Sequence, residues 1–144
     1  MLVVEPVRDE DVEPVAELAT KSLLEQYDPA WLQHHAGRGP FWIAREVRTN
    51  QVVGFAVADK DGLQGHLLAI AVDKHNRNKG IGSALLRTVK DDLARQGAYN
   101  LKLEVRADDA GAQEFYARHG FQPVGLETRV YRDGSDAVKM ARPL

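Results

Sequence analysis

Two groups of residues in this chain have types and spacing that chemistry can use. The first is Arg77-Asn78-Lys79-Gly80-Ile81-Gly82-Ser83, a basic, glycine-broken turn between an apolar run and an amphipathic stretch. A helix starting here presents first-turn N–H groups without intrahelical partners, at the positive end of its dipole, a setting that suits phosphate. Gly80 and Gly82 let a ligand come close to the backbone, and Arg77 and Lys79 add charge from the side. The dinucleotide fingerprint needs a third glycine where Leu85 stands, and no Gly-Lys-Ser/Thr triplet exists for a nucleotide-hydrolysing P-loop. Read without a ligand, the same turn is a helix start with solvated charges.

The second group joins Glu104 and Tyr116. In Leu101-Lys102-Leu103-Glu104-Val105 strand alternation puts the three apolar residues on one face and Lys102 and Glu104 on the other. Tyr116 follows on a helix whose inner face also holds Ala112, Phe115 and His119. A strand delivering a carboxylate and the next helix delivering a phenol can aim both at one cleft, the carboxylate to take a proton and the phenol to give one. Each residue also has a purely structural reading: Glu104 paired with Lys102 or Arg106, and Tyr116 packed in the core. His66 shares strand parity with Leu68, Ile70 and Val72, and reads as an alternative base, a pocket wall or a satisfied histidine at a strand edge. His34-His35 is no metal site, because adjacent helical residues point apart and no ligand lies at a helical spacing.

Positioning these groups requires the following elements. Leu2 to Val7 reads as a strand, and a helix starts within Asp9–Asp11 with Val12, Val15, Ala16, Ala19 and Leu23 inward. A short second helix begins after Tyr27-Asp28-Pro29 and ends near Gly37. Phe41 to Val47 and Val52 to Ala58 form a hairpin around Asn50, and Asp61-Gly62 is the next turn. His66 to Val72 is almost wholly apolar, the composition of a strand buried on both faces. The spacing predicts a helix from Ile81 to about Arg95, with Ile81, Leu85, Val89 and Leu93 inward and Gly97 at its end. Leu101 to Val105 is a strand, Asp109 to His119 a helix closed by Gly120, and Phe121 to Thr128 and Ala137 to Ala141 strands around an Asp133-Gly134 turn. This order argues for a mixed α/β sheet with helices on both faces, with Ala137 to Ala141 at an edge where a dimer could pair.

The chain has 144 residues, which fits one domain spanning 1–144 and burying roughly two thirds of its unfolded surface. With 19 basic and 21 acidic residues, no overall field draws it to nucleic acid or anionic lipid. The absence of cysteine excludes disulfides, thiol nucleophiles and thiolate–metal sites. No apolar run reaches a membrane span, and Met1-Leu2-Val3-Val4-Glu5 lacks the order of a signal peptide, so the default expectation is a cytoplasmic protein, monomeric or homodimeric.

The spacing Arg-x-x-Gly-x-Gly after Ile70-Ala71-Val72-Asp73 resembles the pyrophosphate-binding turn of the GNAT superfamily of acyl-CoA-dependent N-acetyltransferases. Leu103-Glu104-Val105-Arg106 through Phe115-Tyr116-Ala117-Arg118-His119-Gly120-Phe121 is similar to the superfamily's second signature. Within it, the second half resembles the N-terminal alanine acetyltransferases that modify a ribosomal protein. The resemblance implies a mostly antiparallel sheet of about seven strands with a splayed parallel pair at the CoA site. It also implies acetyl-CoA as co-substrate, no metal, and an amine acceptor that is a protein N-terminus or a small molecule. It places Ile70, Ala71 and Val72 on the pantetheine arm and Arg77, Asn78, Lys79, Gly80, Ile81, Gly82 and Ser83 on the pyrophosphate. Glu104 becomes the proton acceptor and Tyr116 the donor, with direct transfer and no acyl-enzyme. Tyr27, Trp31 and His34 fall where such enzymes build the acceptor site. The family has asparagine where Asp109 stands; an ionised aspartate only accepts hydrogen bonds, so Asp109 reads as a helix cap before a cofactor ligand. The competing reading is an acyl-CoA-binding sensor or structural domain without catalysis.

Overall fold

Alternation and helical periodicity resolve into seven strands and four α-helices in the computed structural model, which describes residues 1–23 and 27–144. In chain order these are β1 (Leu2–Pro6), α1 (Val12–Leu23), α2 (Pro29–His35), β2 (Phe41–Glu46), β3 (Gln51–Asp61), β4 (Gln64–Val72), α3 (Ile81–Arg95), β5 (Asn100–Arg106), α4 (Ala110–Arg118), β6 (Gln122–Glu127) and β7 (Ala137–Pro143). Short 3-10 turns at Asp9–Asp11 and Lys74–Asn76 lead towards α1 and α3. Asp11 accepts from the Arg8 N–H at 2.9 Å and fixes the entry to α1. Its other oxygen takes the buried Arg45 guanidinium at 2.8 Å, tying that entry to β2.

The strands form one sheet in the order β1-β2-β3-β4-β5-β7-β6, antiparallel except between β4 and β5. α1 and α2 cover one face over Val15, Ala19, Leu32, Ile43, Phe55 and Val57. α3 and α4 cover the other over Leu85, Val89, Leu93, Leu101, Leu103 and Met140. α3 lies so close to β4 that a Cβ on Gly65 would stand 2.8 Å from the Leu93 side chain. Among the described residues no helix is long and apolar enough to cross a membrane.

Three features depart from the reading of the sequence. First, Ala137 to Ala141 is not at an edge: β7 lies between β5 and β6, and the edges are β1 and β6. The turn around Asp133-Gly134 folds β7 back inside β6, where it pairs with β5 along its whole length, Asn100 to Arg106. A dimer built on a free β7 edge is therefore ruled out.

Second, β4 is not buried on both faces; its side chains alternate between buried and half-buried. β4 and β5 pair only from Gln64–Asn100 to His66–Lys102 and then part, so the later half of β4 lacks a neighbour on that side.

Third, His66 does not share a face with Ile70 and Val72. Ala58 pairs with Leu67 and Val57 with Ala69, leaving Leu68 as the extra residue of a β-bulge. The bulge inverts the alternation, so Leu67, Ile70 and Val72 pack towards α3 and α4 while Ala69 and Ala71 pack towards α1 and α2. His66, next to Leu67, points to the α1/α2 side.

Candidate active site

The divergence of β4 from β5 opens a wedge in the sheet and leaves backbone groups unpaired along it. The Asp73 N–H bonds to the Val53 carbonyl of β3 at 2.8 Å, and antiparallel alternation sends the Ala71 backbone the same way. Ile70 and Val72 therefore turn their N–H and C=O groups into the wedge. Arg77 Nε donates to the Val72 carbonyl at 3.2 Å, so this arginine folds back over the strand end. Of Ile70, Ala71 and Val72, the first and last turn their backbone into the wedge, while Ala71 pairs with Phe55 of β3 and buries its side chain.

At the mouth of the wedge the chain turns into α3. Asn78 has φ 62° and Gly80 φ 79°, and this left-handed pair folds the segment tightly before the helix. Gly80 is the N-cap and no side chain caps it, which leaves the first N–H groups of Ile81, Gly82 and Ser83 without intrahelical partners. Arg77, Asn78, Lys79 and Gly80 are exposed around them. An uncapped helix start ringed by cations next to an unpaired strand edge fits a ligand with an amide-bearing arm and a pyrophosphate.

Ser83 Oγ lies 2.9 Å from His119 Nε2, joining the first turn of α3 to the C-cap of α4. Burial holds His119 below the ordinary imidazole range, and the neighbouring Lys90, Arg87, Arg118 and Arg142 push it the same way. The neutral ring is favoured. No pattern in the sequence announces this contact, because it joins residues 36 apart on two helices.

Further in, the wedge opens into a cleft of about 430 Å³ that Glu104, His66, Tyr116 and Asp109 all line. Glu104 pairs neither with Lys102 nor with Arg106; its Oε2 lies 2.6 Å from His66 Nε2, both side chains about a quarter exposed. This pair spans the split strands just beyond their last rung, at His66–Lys102. Tyr116 is 8 % exposed and sits edge-on between Phe115 and Phe121. Burial above all, then Asp109 and the nearby tyrosines, raises its phenol well beyond the ordinary value, so the hydroxyl keeps its proton. Asp109 caps α4, accepting from the Ala112 N–H at 3.0 Å.

The remaining walls come from two segments. Leu23, Tyr27 and Trp31 close the cleft on the α1/α2 side, with Tyr27 and Trp31 packed edge to face at 5.7 Å. His34 does not line it. Glu127, Val130 and Tyr131, from the end of β6 and the loop to β7, close the other side. Sequence reasoning missed this second wall. Among the described residues no cluster of three His, Cys, Asp or Glu could hold a metal ion.

The mixed seven-stranded sheet is split at its parallel pair, and an uncapped helix start lies beside the split. The sequence model of the Acetyltransferase (GNAT) family matches residues 7–121, and the chain belongs to that family. It is 37 % identical over 93 residues to an uncharacterized N-acetyltransferase of Methanocaldococcus jannaschii, a match spanning 64 % of this chain and 60 % of that relative. It is 34 % identical over 100 residues to the [ribosomal protein bS18]-alanine N-acetyltransferase of Escherichia coli, covering 67 % of this chain and 68 % of that enzyme. Among solved structures, Ard1 from Thermoplasma volcanium superposes with a TM-score of 0.94 at 30 % identity, covering 99 % of this chain and 97 % of the other.

Proposed function

We propose that the protein transfers an acetyl group from acetyl-CoA to primary amines, protein N-terminal α-amines foremost, in the cleft between β4 and β5. The observation that carries this reading is that the Glu104–His66 pair and Tyr116 line one cleft at the end of an unpaired strand edge. The Ile70 and Val72 backbone groups would hold the pantetheine arm. The turn from Arg77 to Ser83 would hold the pyrophosphate through the open N–H groups of α3 and the two cations. Asp109, which caps α4 through its Oδ1, would serve the cofactor by fixing where α4 begins.

Acetyl-CoA supplies the acetyl group as an activated thioester. An amine arrives as an ammonium and must lose a proton before its nitrogen can attack. Glu104 takes that proton, and His66, hydrogen-bonded to the same carboxylate, orients it and shares the charge. An α-amine, titrating near 8, gives up a proton more readily than a lysine near 10.4, which suits a carboxylate–imidazole pair that is only about a quarter exposed. The Tyr116 phenol, kept protonated by burial, is a poor source of a whole proton for a thiolate. Its role is to donate a hydrogen bond to the departing sulfur as charge develops there.

The test is a panel of peptides with free α-amines beside lysine-only peptides, polyamines and aminoglycosides, each incubated with acetyl-CoA while thiol release is followed. Turnover on α-amines supports the proposal. Thermal stabilisation by acetyl-CoA with no turnover on any acceptor supports instead a CoA-binding sensor.

A further inference from the structure

Arg106, the last residue of β5, is absorbed neither by the cofactor turn nor by the proton-transfer pair. Its main chain belongs to the cofactor side: the Arg106 carbonyl accepts from Gln113 Nε2 of α4 at 3.0 Å and from the Asp109 N–H at 3.1 Å. Its side chain lies over the loop between β6 and β7, with its Nε also 3.6 Å from Asp108 Oδ1 on the turn between β5 and α4. There the guanidinium lies 4.5 Å over the centre of the Tyr131 ring, pairs with the Asp133 carboxylate and reaches Ser135 Oγ at 3.4 Å. The bonds within the loop are local. Val130 and Tyr131 N–H donate to the Ser135 carbonyl, Gly134 N–H to Tyr131, and Arg129 N–H to the Asp136 carboxylate. Arg129 has φ 54° and Gly134 φ 84°, so the loop bends sharply at both ends. Val130 and Tyr131 nevertheless line the cleft, as do Tyr27 and Trp31.

We propose that Arg106 is a positioning residue for acceptor binding, clamping the β6–β7 loop so that Val130 and Tyr131 form a preset wall against the incoming amine's own chain. This rests on reading the cleft as the acceptor site. A planar cation suits such a clamp, because one face stacks on Tyr131 while the edge donates to Asp133 and Ser135, a combination that a lysine cannot reproduce. Ordering the wall in advance removes an entropic cost from acceptor binding without altering the Arg77–Ser83 turn at the mouth of the wedge.

The test compares wild type with Arg106→Lys, Arg106→Met and Asp133→Asn in two independent readouts. In steady-state kinetics the acceptor's KM should rise about tenfold in Arg106→Met and nearly as much in Arg106→Lys, the scale expected when a stacked, charge-assisted clamp is lost. The KM for acetyl-CoA should stay within about twofold, since the side-chain partners Tyr131, Asp133, Ser135 and Asp108 lie outside the Arg77–Ser83 turn. In amide hydrogen exchange, which needs no turnover, Val130, Tyr131 and Gly134 should exchange at least tenfold faster while the β3 amides keep their rates. Unchanged loop exchange, full rescue by Arg106→Lys, or a parallel rise in both KM values would overturn the clamp. A wild-type protein that acetylates no amine would defeat the acceptor-site reading, and the exchange data would still decide whether Arg106 orders the loop.

Discussion

Replacing Gly82 separates two properties of the α3 turn that are easily confused. Gly82 is the second residue of α3, and a Cβ built on it would meet Phe115 Cζ at 3.4 Å and Val72 Cγ2 at 3.8 Å, ordinary contact distances. Gly82→Ala therefore fits, and replacing a helical glycine by alanine is worth about 0.5–1 kcal/mol, roughly 1–4 °C in Tm for a chain of this size. Gly82→Val adds two methyls to a carbon already in contact on the Phe115 side, and β-branching in a helix leaves χ1 little choice. At least one methyl must then occupy the open mouth of the turn, where the phosphates would lie. Acetyl-CoA affinity, measured by calorimetry, should fall tenfold or more in Gly82→Val, at least about 1.4 kcal/mol. It should change by less than about threefold in Gly82→Ala, a difference of under 1 kcal/mol. Binding to the wild type should weaken moderately with added salt, because the cations are exposed. A folded Gly82→Val protein with wild-type affinity would refute the placement of the pyrophosphate.

Tyr116→Phe keeps the packing between Phe115 and Phe121, so its Tm near neutral pH should stay within a few degrees while kcat falls roughly ten- to a thousandfold. The fold raises this phenol, so its contribution to stability is complete below the ordinary value near 10 and is lost as pH rises beyond it; alkaline melting should be shallower in the Phe variant. Glu104→Gln should lower kcat about a hundredfold or more while acetyl-CoA still binds, and His66→Asn should cost about tenfold, because it removes only the partner. Burial holds His119 low, so the unfolded chain binds the extra proton first, and stability is full above about pH 6.5 and falls as pH drops below it. His119→Gln should flatten the decline of Tm between about pH 7 and 5, with His35, also lowered by burial, keeping part of the slope.

What the sequence made legible was what is local. The 81–95 helix, the alternation of Leu101, Leu103 and Val105, and the caps at Asp109, Gly97 and Gly120 follow from periodicity and backbone preferences within a few residues. What it hid depends on register between distant segments. The Leu68 bulge exists only relative to Val57 and Ala58, and without it His66 reads as a neighbour of Ile70. The His66–Glu104 bond needs β4 and β5 aligned at one end and parted at the other. The position of β7 inside β6 is a topological choice that two strands and a turn leave open. Glu104 and Tyr116 were thus readable as candidates from residue type and spacing, whereas the imidazole on Glu104 and the Tyr131 wall were not.

The central claim is acetyl transfer to an α-amine in the β4–β5 cleft. Its most direct measurement uses one peptide in two forms, with the N-terminus free and with it blocked, both carrying an internal lysine. Each is incubated with acetyl-CoA and the wild-type protein or Glu104→Gln, and mass spectrometry locates the added mass. The account predicts a single acetyl group on the α-nitrogen of the free peptide, none on the blocked one, and strong loss of product with Glu104→Gln. Equal acetylation of the blocked peptide's lysine, or α-acetylation undiminished in Glu104→Gln, would contradict it.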